Sequence, residues 1–225
     1  MTSISYLITV HNEDRTLKNL LNRITNFLEK EDEIIILDDY SDNDKTKKIL
    51  SEFSNLPNIK IIQHALNRNY GEHKNFGNSL CKNEWIFQID GDELPSEILL
   101  NSIKEIIIEN NSVELFLVPR INDFLGVTSK HAQRWGWQLT PYKNRYIVQW
   151  PDYQGRIYKN IPERIKWDRR LHEKIEGYTK YSYLPKDFSF ALYHDKTIEI
   201  QEKTNQRYNK LFTPEENRGH KGFNT

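Results

Sequence analysis

Hydrophobic and polar positions in the first half of the chain follow two alternating spacings. Residues 3–10 read as a strand that ends in the polar His11-Asn12-Glu13-Asp14. Leu17, Leu20, Leu21, Ile24, Phe27 and Leu28 then recur at three- and four-residue intervals, which predicts a helix with one apolar face. Residues 33–37, β-branched at Ile34, Ile35 and Ile36, predict a buried strand followed by an acidic loop, Asp38-Asp39-Tyr40-Ser41-Asp42. Thr46, Ile49, Leu50 and Phe53 mark a second helix, and Ile59, Ile61 and Ile62 a third strand. A polar stretch with Gly71 leads into a helix bearing Phe76 and Leu80, and residues 85–89 form a fourth strand ending at Asp90-Gly91-Asp92-Glu93.

Strands alternating with helices predict an α/β fold with a mostly parallel central sheet flanked by helices. In such sheets ligands bind beyond the carboxyl ends of the strands. Three polar clusters, residues 9–13, 38–42 and 90–93, fall there. After Pro95 a helix carries Ile98, Leu99, Ile103, Ile106 and Ile107, and residues 114–118 predict another strand. From about residue 124 to 193 the chain becomes rich in Trp, Tyr, Arg and His. Short strands are expected there at residues 145–148, 156–158 and 188–193. A helix is expected from Lys196 to about Phe212, then a poorly ordered end from Thr213 onward, with Pro214, Gly219 and Gly222.

Composition narrows the function classes. The 225 residues are 37% hydrophobic and 28% charged, with 32 basic and 32 acidic side chains giving a formal net charge of +0. That balance argues against a dedicated nucleic-acid binder and leaves room for a local basic pocket. Cys81 is the single cysteine, so no intrachain disulfide forms, and it is expected to be a small buried side chain. No run of about 18 apolar residues predicts a membrane span. A cytoplasmic location is expected, with attachment to a membrane surface through a partner or lipid acceptor left open.

Asp90-Gly91-Asp92 is the sharpest candidate for chemistry. Two carboxylates one residue apart, on a turn after a buried strand, can face one hard cation such as Mg²⁺ or Mn²⁺, which keeps further sites for phosphate oxygens. Gly91 lets the backbone come close. An acidic turn leading into a helix start at Ser96 is the competing reading.

Three segments together, Leu7-Ile8-Thr9-Val10-His11-Asn12-Glu13, Ile36-Leu37-Asp38-Asp39-Tyr40-Ser41-Asp42 and Trp85-Ile86-Phe87-Gln88-Ile89-Asp90-Gly91-Asp92-Glu93, resemble the family 2 inverting glycosyltransferases in order and spacing. Pro151-Asp152-Tyr153-Gln154-Gly155-Arg156-Ile157-Tyr158, followed by Leu171-His172-Glu173, resembles a subgroup of that family with sugar-polymer and lipopolysaccharide-type acceptors. The resemblance implies a single GT-A domain over residues 1–225. Residues 1–120 would bind the nucleotide sugar, a smaller aromatic-rich portion over 121–195 would face the acceptor, and 196–225 would form a C-terminal helix and tail. It implies a nucleotide-sugar donor, UDP-linked by preference, a glycan or lipid-linked acceptor, and Mn²⁺ or Mg²⁺. Thr9, His11 and Glu13 would lie beside base and ribose. Asp39 would bind the base, Lys74 and Asn75 would lie near the donor, and Asp90 would hold ribose or metal. Asp92 would hold the metal, with His194 as a further ligand and His172 its rival.

Inverting transfer needs a carboxylate to take the proton of the attacking hydroxyl. Glu173 and Asp152 are the candidates, with Glu173 slightly preferred. Arg134, Arg145 and Arg156 are offered to the diphosphate, to an anionic acceptor or to local acids. Trp135, Trp137, Tyr142, Tyr146, Trp150 and Tyr153 are expected to pack for the most part, with some free to stack on sugar. Two alternatives stand beside the transferase. One is a non-catalytic binding protein on the same fold, disfavoured by the intact Asp90/Asp92 pair. The other is a sugar nucleotidyltransferase, disfavoured because the loop after the first strand has no glycine.

Overall fold

The computed structural model describes residues 2–217. The first half runs β1 (Ile4–Val10), α1 (Leu17–Phe27), β2 (Glu33–Asp38), α2 (Asp44–Phe53), β3 (Ile59–Gln63), α3 (Tyr70–Leu80) and β4 (Trp85–Asp90). It continues with β5 (Leu94–Pro95), α4 (Glu97–Glu109), β6 (Leu115–Val118), β7 (Arg120–Leu125), α5 (Ser129–Trp135), β8 (Leu139–Tyr142) and β9 (Arg145–Val148). Then come β10 (Gln154–Lys159), β11 (Lys166–Asp168), β12 (Lys174–Glu176), β13 (Tyr181–Tyr183), a 3₁₀ turn (Phe188–Phe190), β14 (Leu192–Thr197) and α6 (Ile198–Leu211).

Periodicity explains the first half. Leu17, Leu20, Leu21 and Ile24 of α1 are fully buried, and each such burial stabilises by roughly 1.5–3 kcal/mol. Side-chain caps start the helices where the polar loops end. Asn43 accepts from Lys45 and Thr46 at α2, Asn69 from Glu72 at α3, and Ser96 from Leu99 at α4.

Among the described residues the main sheet has the order β13-β6-β10-β4-β1-β2-β3. β1 pairs in parallel with both β2 and β4, with Val10 opposite Asp38 and Thr9 opposite Asp90. The strand order reverses at β1, so the chain leaves a crevice beyond its carboxyl end. The mostly parallel α/β sheet expected from the sequence is therefore present.

The second half differs from expectation in where its strands pair. The strand expected at residues 156–158 is β10, which enters the main sheet antiparallel to both β4 and β6. A second sheet, β5-β14-β7-β9-β8, is built around β14 lying parallel to β7. The strand expected over 188–193 is displaced. Asp187 accepts from the Ser189 N–H and hydroxyl and closes a 3₁₀ turn. The strand then runs Leu192–Thr197, because pairing with β7 carries polar His194 and Lys196 into it. Thr197 caps α6, so the helix begins at Ile198 instead of Lys196.

The chain just after α6 is also held more firmly than its composition suggests. The Thr213 N–H donates to Glu216 and the Glu216 N–H to the Thr213 hydroxyl. Glu216 and Asn217 meet Arg170 and His172 at 3.2 Å each. Gly219 and Gly222, placed in the same tail by the sequence, lie outside the described residues. Cys81 is buried against the Gly77 carbonyl, and burial and Glu33 push its thiol up to about 12. Among the described residues no helix is long and apolar enough to cross a membrane.

Candidate active site

A cavity of about 690 Å³ opens at the carboxyl ends of β1, β2 and β4. Thr9, His11, Glu13, Asp39, Lys74, Asp90, Asp92, Glu173 and His194 all line it. Asn75 and Asp152 do not.

Asp90 is the hub. Its Oδ1 accepts from Thr9 Oγ1 and Gln88 Nε2, both at 2.9 Å, and lies 3.1 Å from Lys74 Nζ. Its Oδ2 accepts from Arg156 at 2.6 Å. Burial by itself would raise this carboxyl, but Arg156 and Lys74 hold it well below the usual carboxylate range. Gly91 permits the next turn. A Cβ there would lie 3.1 Å from the Thr9 carbonyl and 3.2 Å from Glu13 Cγ.

Lys74 links the two sides of the cavity. Its Nζ, on a side chain only 2% exposed, donates to Glu173 Oε1 at 2.6 Å and sits 4.6 Å from the centre of a Trp167 ring. The loop bearing Glu173 is docked backbone to backbone on the start of α3. Tyr70 N donates to Arg170 O at 2.9 Å and Gly71 N to Arg169 O at 3.1 Å. A Cβ at Gly71 would come within 2.5 Å of that Arg169 oxygen, which only glycine avoids. His172 adopts a left-handed backbone, φ 53°, at the turn just before Glu173. Asn75 serves the same docking from outside the cavity, since its amide pairs with both the N–H and the C=O of Trp167 at 2.8 Å.

Asp152 takes a different place. Its Oδ2 accepts from Arg120 Nη2 and Asn122 Nδ2, each at 2.7 Å, and its Oδ1 from Gln154 at 3.0 Å. Burial opposes ionisation here, but Arg120 and Asn122 lower the carboxyl below its ordinary value. A carboxylate so committed is a weak proton acceptor. It instead orients Asn122. With Nδ2 donating to Asp152 and to the Val148 carbonyl, the Asn122 Oδ1 must accept from His194 Nδ1 at 2.7 Å. The other ring nitrogen, Nε2, faces Asp92 Oδ2 at 3.3 Å.

This pair bears on the expected metal. Among the described residues no three His, Cys, Asp or Glu side chains converge on one ion position. Asp90 has both oxygens engaged by Arg156, Thr9, Gln88 and Lys74, so of the three candidate ligands only Asp92 and His194 face each other. A carboxylate oxygen and an imidazole nitrogen, with the imidazole fixed from behind by Asn122, suit a divalent cation that draws its remaining ligands from substrate or water. The crowding of acids is a second sign. Burial, and then the charge of Asp92, push Glu13 up to about 7. Lys196 also lies in this corner, its Nζ 2.7 Å from Asp92 Oδ2.

At the β2 end, Asp39 Oδ1 accepts from the Leu66 N–H at 2.9 Å, and His11 Nδ1 donates to the Asp39 carbonyl at 2.8 Å. His73 lines this wall, its ring 3.0 Å from His64 through the two Nδ1 atoms. Burial, then His64, lower its pKa to about 4 and keep it neutral.

Sequence reasoning missed part of the lining. Tyr70, Trp167, Tyr208 and Phe212 supply its aromatic faces. Most of the mid-chain aromatics pack, as expected, in the contacts Trp135–Trp137, Tyr142–Phe188, Trp150–Phe188 and Tyr153–Tyr183, while Tyr146 is exposed. Arg134, Arg145 and Arg156 all pair with acids, namely Glu202, Asp123, and Asp90 with Glu93. Lys196 was also missed, although its two-residue offset from His194 on a strand would have placed both on one face.

Comparison with known proteins follows the same outline. A family model described as glycosyl transferase family 2 matches residues 5–199. Over 76 residues, 32% of this chain, the sequence is 40% identical to an undecaprenyl-phosphate 4-deoxy-4-formamido-L-arabinose transferase of Proteus mirabilis (strain HI4320), a match covering 23% of that protein. Residues 1–349 of S. aureus TarS in complex with UDP-GlcNAc superpose with a TM-score of 0.62 at 19% identity, over 87% of this chain and 59% of that one. The same TarS fragment with UDP gives 0.60 at 18% identity, over 90% and 63%. The chain thus spans less than two thirds of each of these relatives.

Proposed function

Since this chain belongs to glycosyl transferase family 2, we propose that it transfers a sugar from a nucleotide-diphosphate donor, a UDP-sugar by preference, to a hydroxyl of a glycan or lipid-linked glycan, inverting the anomeric carbon. The observation that carries this reading is the placement of Glu173 in the cavity that Asp90 and Asp92 also line, with Lys74 touching both Glu173 and Asp90. The GT-A likeness to TarS, crystallised with UDP-GlcNAc, supports the choice of a uridine donor.

In this reading Glu173 takes the proton of the acceptor hydroxyl on the oxygen that Lys74 does not hold, and the Lys74 ammonium, 2.6 Å from Oε1, aims the carboxylate. Asp39 accepts the N–H edge of the base, with Thr9, His11 and Glu13 beside base and ribose. Asp90 keeps Lys74 and Arg156 in place and borders the ribose. Asp92 and His194 would hold Mn²⁺ or Mg²⁺, which when bound offsets the charge growing on the departing diphosphate.

A thermal-shift series with UDP, GDP and dTDP, each with Mn²⁺ and with EDTA, tests the donor side. Nucleotide at 100 times its dissociation constant should add about 2.7 kcal/mol of stability. UDP with Mn²⁺ is expected to give the largest shift and EDTA to remove most of it. No shift with any of the three would reject the donor reading, and equal shifts in EDTA would reject the metal. Asp39→Ala should raise the donor KM and narrow the preference among the three bases, at a cost of about 1–3 kcal/mol in UDP binding. An unaltered base preference would leave Asp39 as no more than the acceptor for the Leu66 N–H.

A further inference from the structure

Lys196 occupies a position that the proposed chemistry leaves unexplained. It lies on β14 two residues beyond His194, so strand alternation presents both side chains to the same face. Asp195, between them, is in register with Asp123. The register of β14 on β7 sets Lys196 opposite Phe124 and His194 opposite Asn122. Both side chains reach the same atom, Asp92 Oδ2, with Lys196 Nζ at 2.7 Å and His194 Nε2 at 3.3 Å. A divalent ion held by Asp92 and His194 would compete with the ammonium for that carboxylate. An ammonium within hydrogen-bond range of it cannot stay beside a doubly charged ion. Their repulsion in a half-buried corner is large.

We propose that Lys196 is an exchangeable counter-ion, holding Asp92 while the donor is absent and moving onto the donor's diphosphate when a divalent cation takes Asp92 and His194. The inference rests on the metal reading of the preceding section. The geometry suits an exchange. The Lys196 side chain is 18% exposed and lines the cavity beside Arg15 and Lys203. A flexible four-carbon stem lets its ammonium change partners without moving β14. In the donor-free protein the ammonium lies 2.7 Å from Asp92 Oδ2, in a cavity that Glu13 and Asp90 also line. With donor present, the diphosphate is the new anion within reach, and the total charge of the corner stays balanced.

The exchange predicts effects of opposite sign in one variant, which a merely structural lysine would not produce. The experiment titrates Mn²⁺ into donor-free wild type, Lys196→Gln and Lys196→Arg, following free Mn²⁺ by electron paramagnetic resonance. It then titrates UDP by calorimetry at saturating Mn²⁺. Removing a like charge this close should tighten donor-free Mn²⁺ binding in Lys196→Gln about 10-fold or more. The same variant should bind UDP about 10-fold more weakly, having lost one charged contact to phosphate. Lys196→Arg should stay near wild type in both. If Mn²⁺ binds the wild type with UDP but Lys196→Gln leaves either affinity unaltered, the exchange is wrong and the metal site stands. If Mn²⁺ fails to bind the wild type even with UDP, the metal site falls and the exchange with it.

Discussion

Glu173→Gln is expected to lower kcat by about 10²–10⁴-fold, or roughly 3–5 kcal/mol of barrier, with UDP affinity nearly unchanged. Glutamine keeps the shape of the side chain and one oxygen able to accept from Lys74 Nζ, now 2.6 Å from Glu173 Oε1. It cannot take a proton. The loop should stay in place, because its docking on α3 runs through backbone atoms of Arg169 and Arg170 and through Asn75 with Trp167. Asp152→Asn is the informative companion. Its carboxylate neutralises Arg120 and orients Asn122 behind His194, so the loss should appear as about 1–3 kcal/mol of stability, with turnover falling far less than in Glu173→Gln. Steady-state kinetics and urea denaturation of the two variants separate these outcomes. Near-normal kcat in Glu173→Gln with a dead but stable Asp152→Asn would exchange the two roles.

The largest expected effect on stability belongs to Arg156→Met. The Arg156 side chain is 3% exposed and donates at 2.6 Å to both Asp90 Oδ2 and Glu93 Oε1, and also to Gln88. Glu93 is fully buried, and among the described residues its one other cation is Arg120, at 2.9 Å. Removing one partner from such a network leaves buried carboxylates under-compensated and should cost about 3–5 kcal/mol, read as a lower urea midpoint. The deficit should depend on pH. Asp90 in the wild type is held well below 3.8, chiefly by Arg156 and Lys74 against the opposing effect of burial. Its contribution is therefore complete above pH 3.8 and is lost as the pH falls below that value. The gap between variant and wild type should be widest near neutrality and shrink in acid. A gap under about 1 kcal/mol at pH 7 would mean that Lys74 and Arg120 suffice to hold the two acids.

The first half of the molecule was legible because its information is local. The 3.6-residue spacing of Leu17, Leu20, Leu21 and Ile24, the β-branched run Ile34-Ile35-Ile36, and the helix start at Ser96 act over a few residues. Strand–helix alternation then implies a parallel sheet, and the polar clusters at 9–13, 38–42 and 90–93 mark its carboxyl end. The lining acids Asp39, Asp90 and Asp92 were found this way, and the family resemblance pointed to Glu173 and His194.

The remainder rests on pairings that no local pattern encodes. Whether Arg156–Tyr158 would join the main sheet depended on an opening between β4 and β6, and its antiparallel entry brought Arg156 to Asp90 across 66 residues. Glu173 and Asp152 read alike as acids in polar stretches. They separated only when Lys74, 99 residues from Glu173, and Arg120, 32 residues from Asp152, each reached its partner. His194 and Lys196 met Asp92 because β14 pairs with both β5 and β7. Sequence therefore determined the elements and the chemistry at their ends, through short-range sterics and burial. Tertiary structure decided which acid lines the cavity and which is tied to Arg120 and Asn122 outside it, because packing sets the cations and donors that reach each carboxylate.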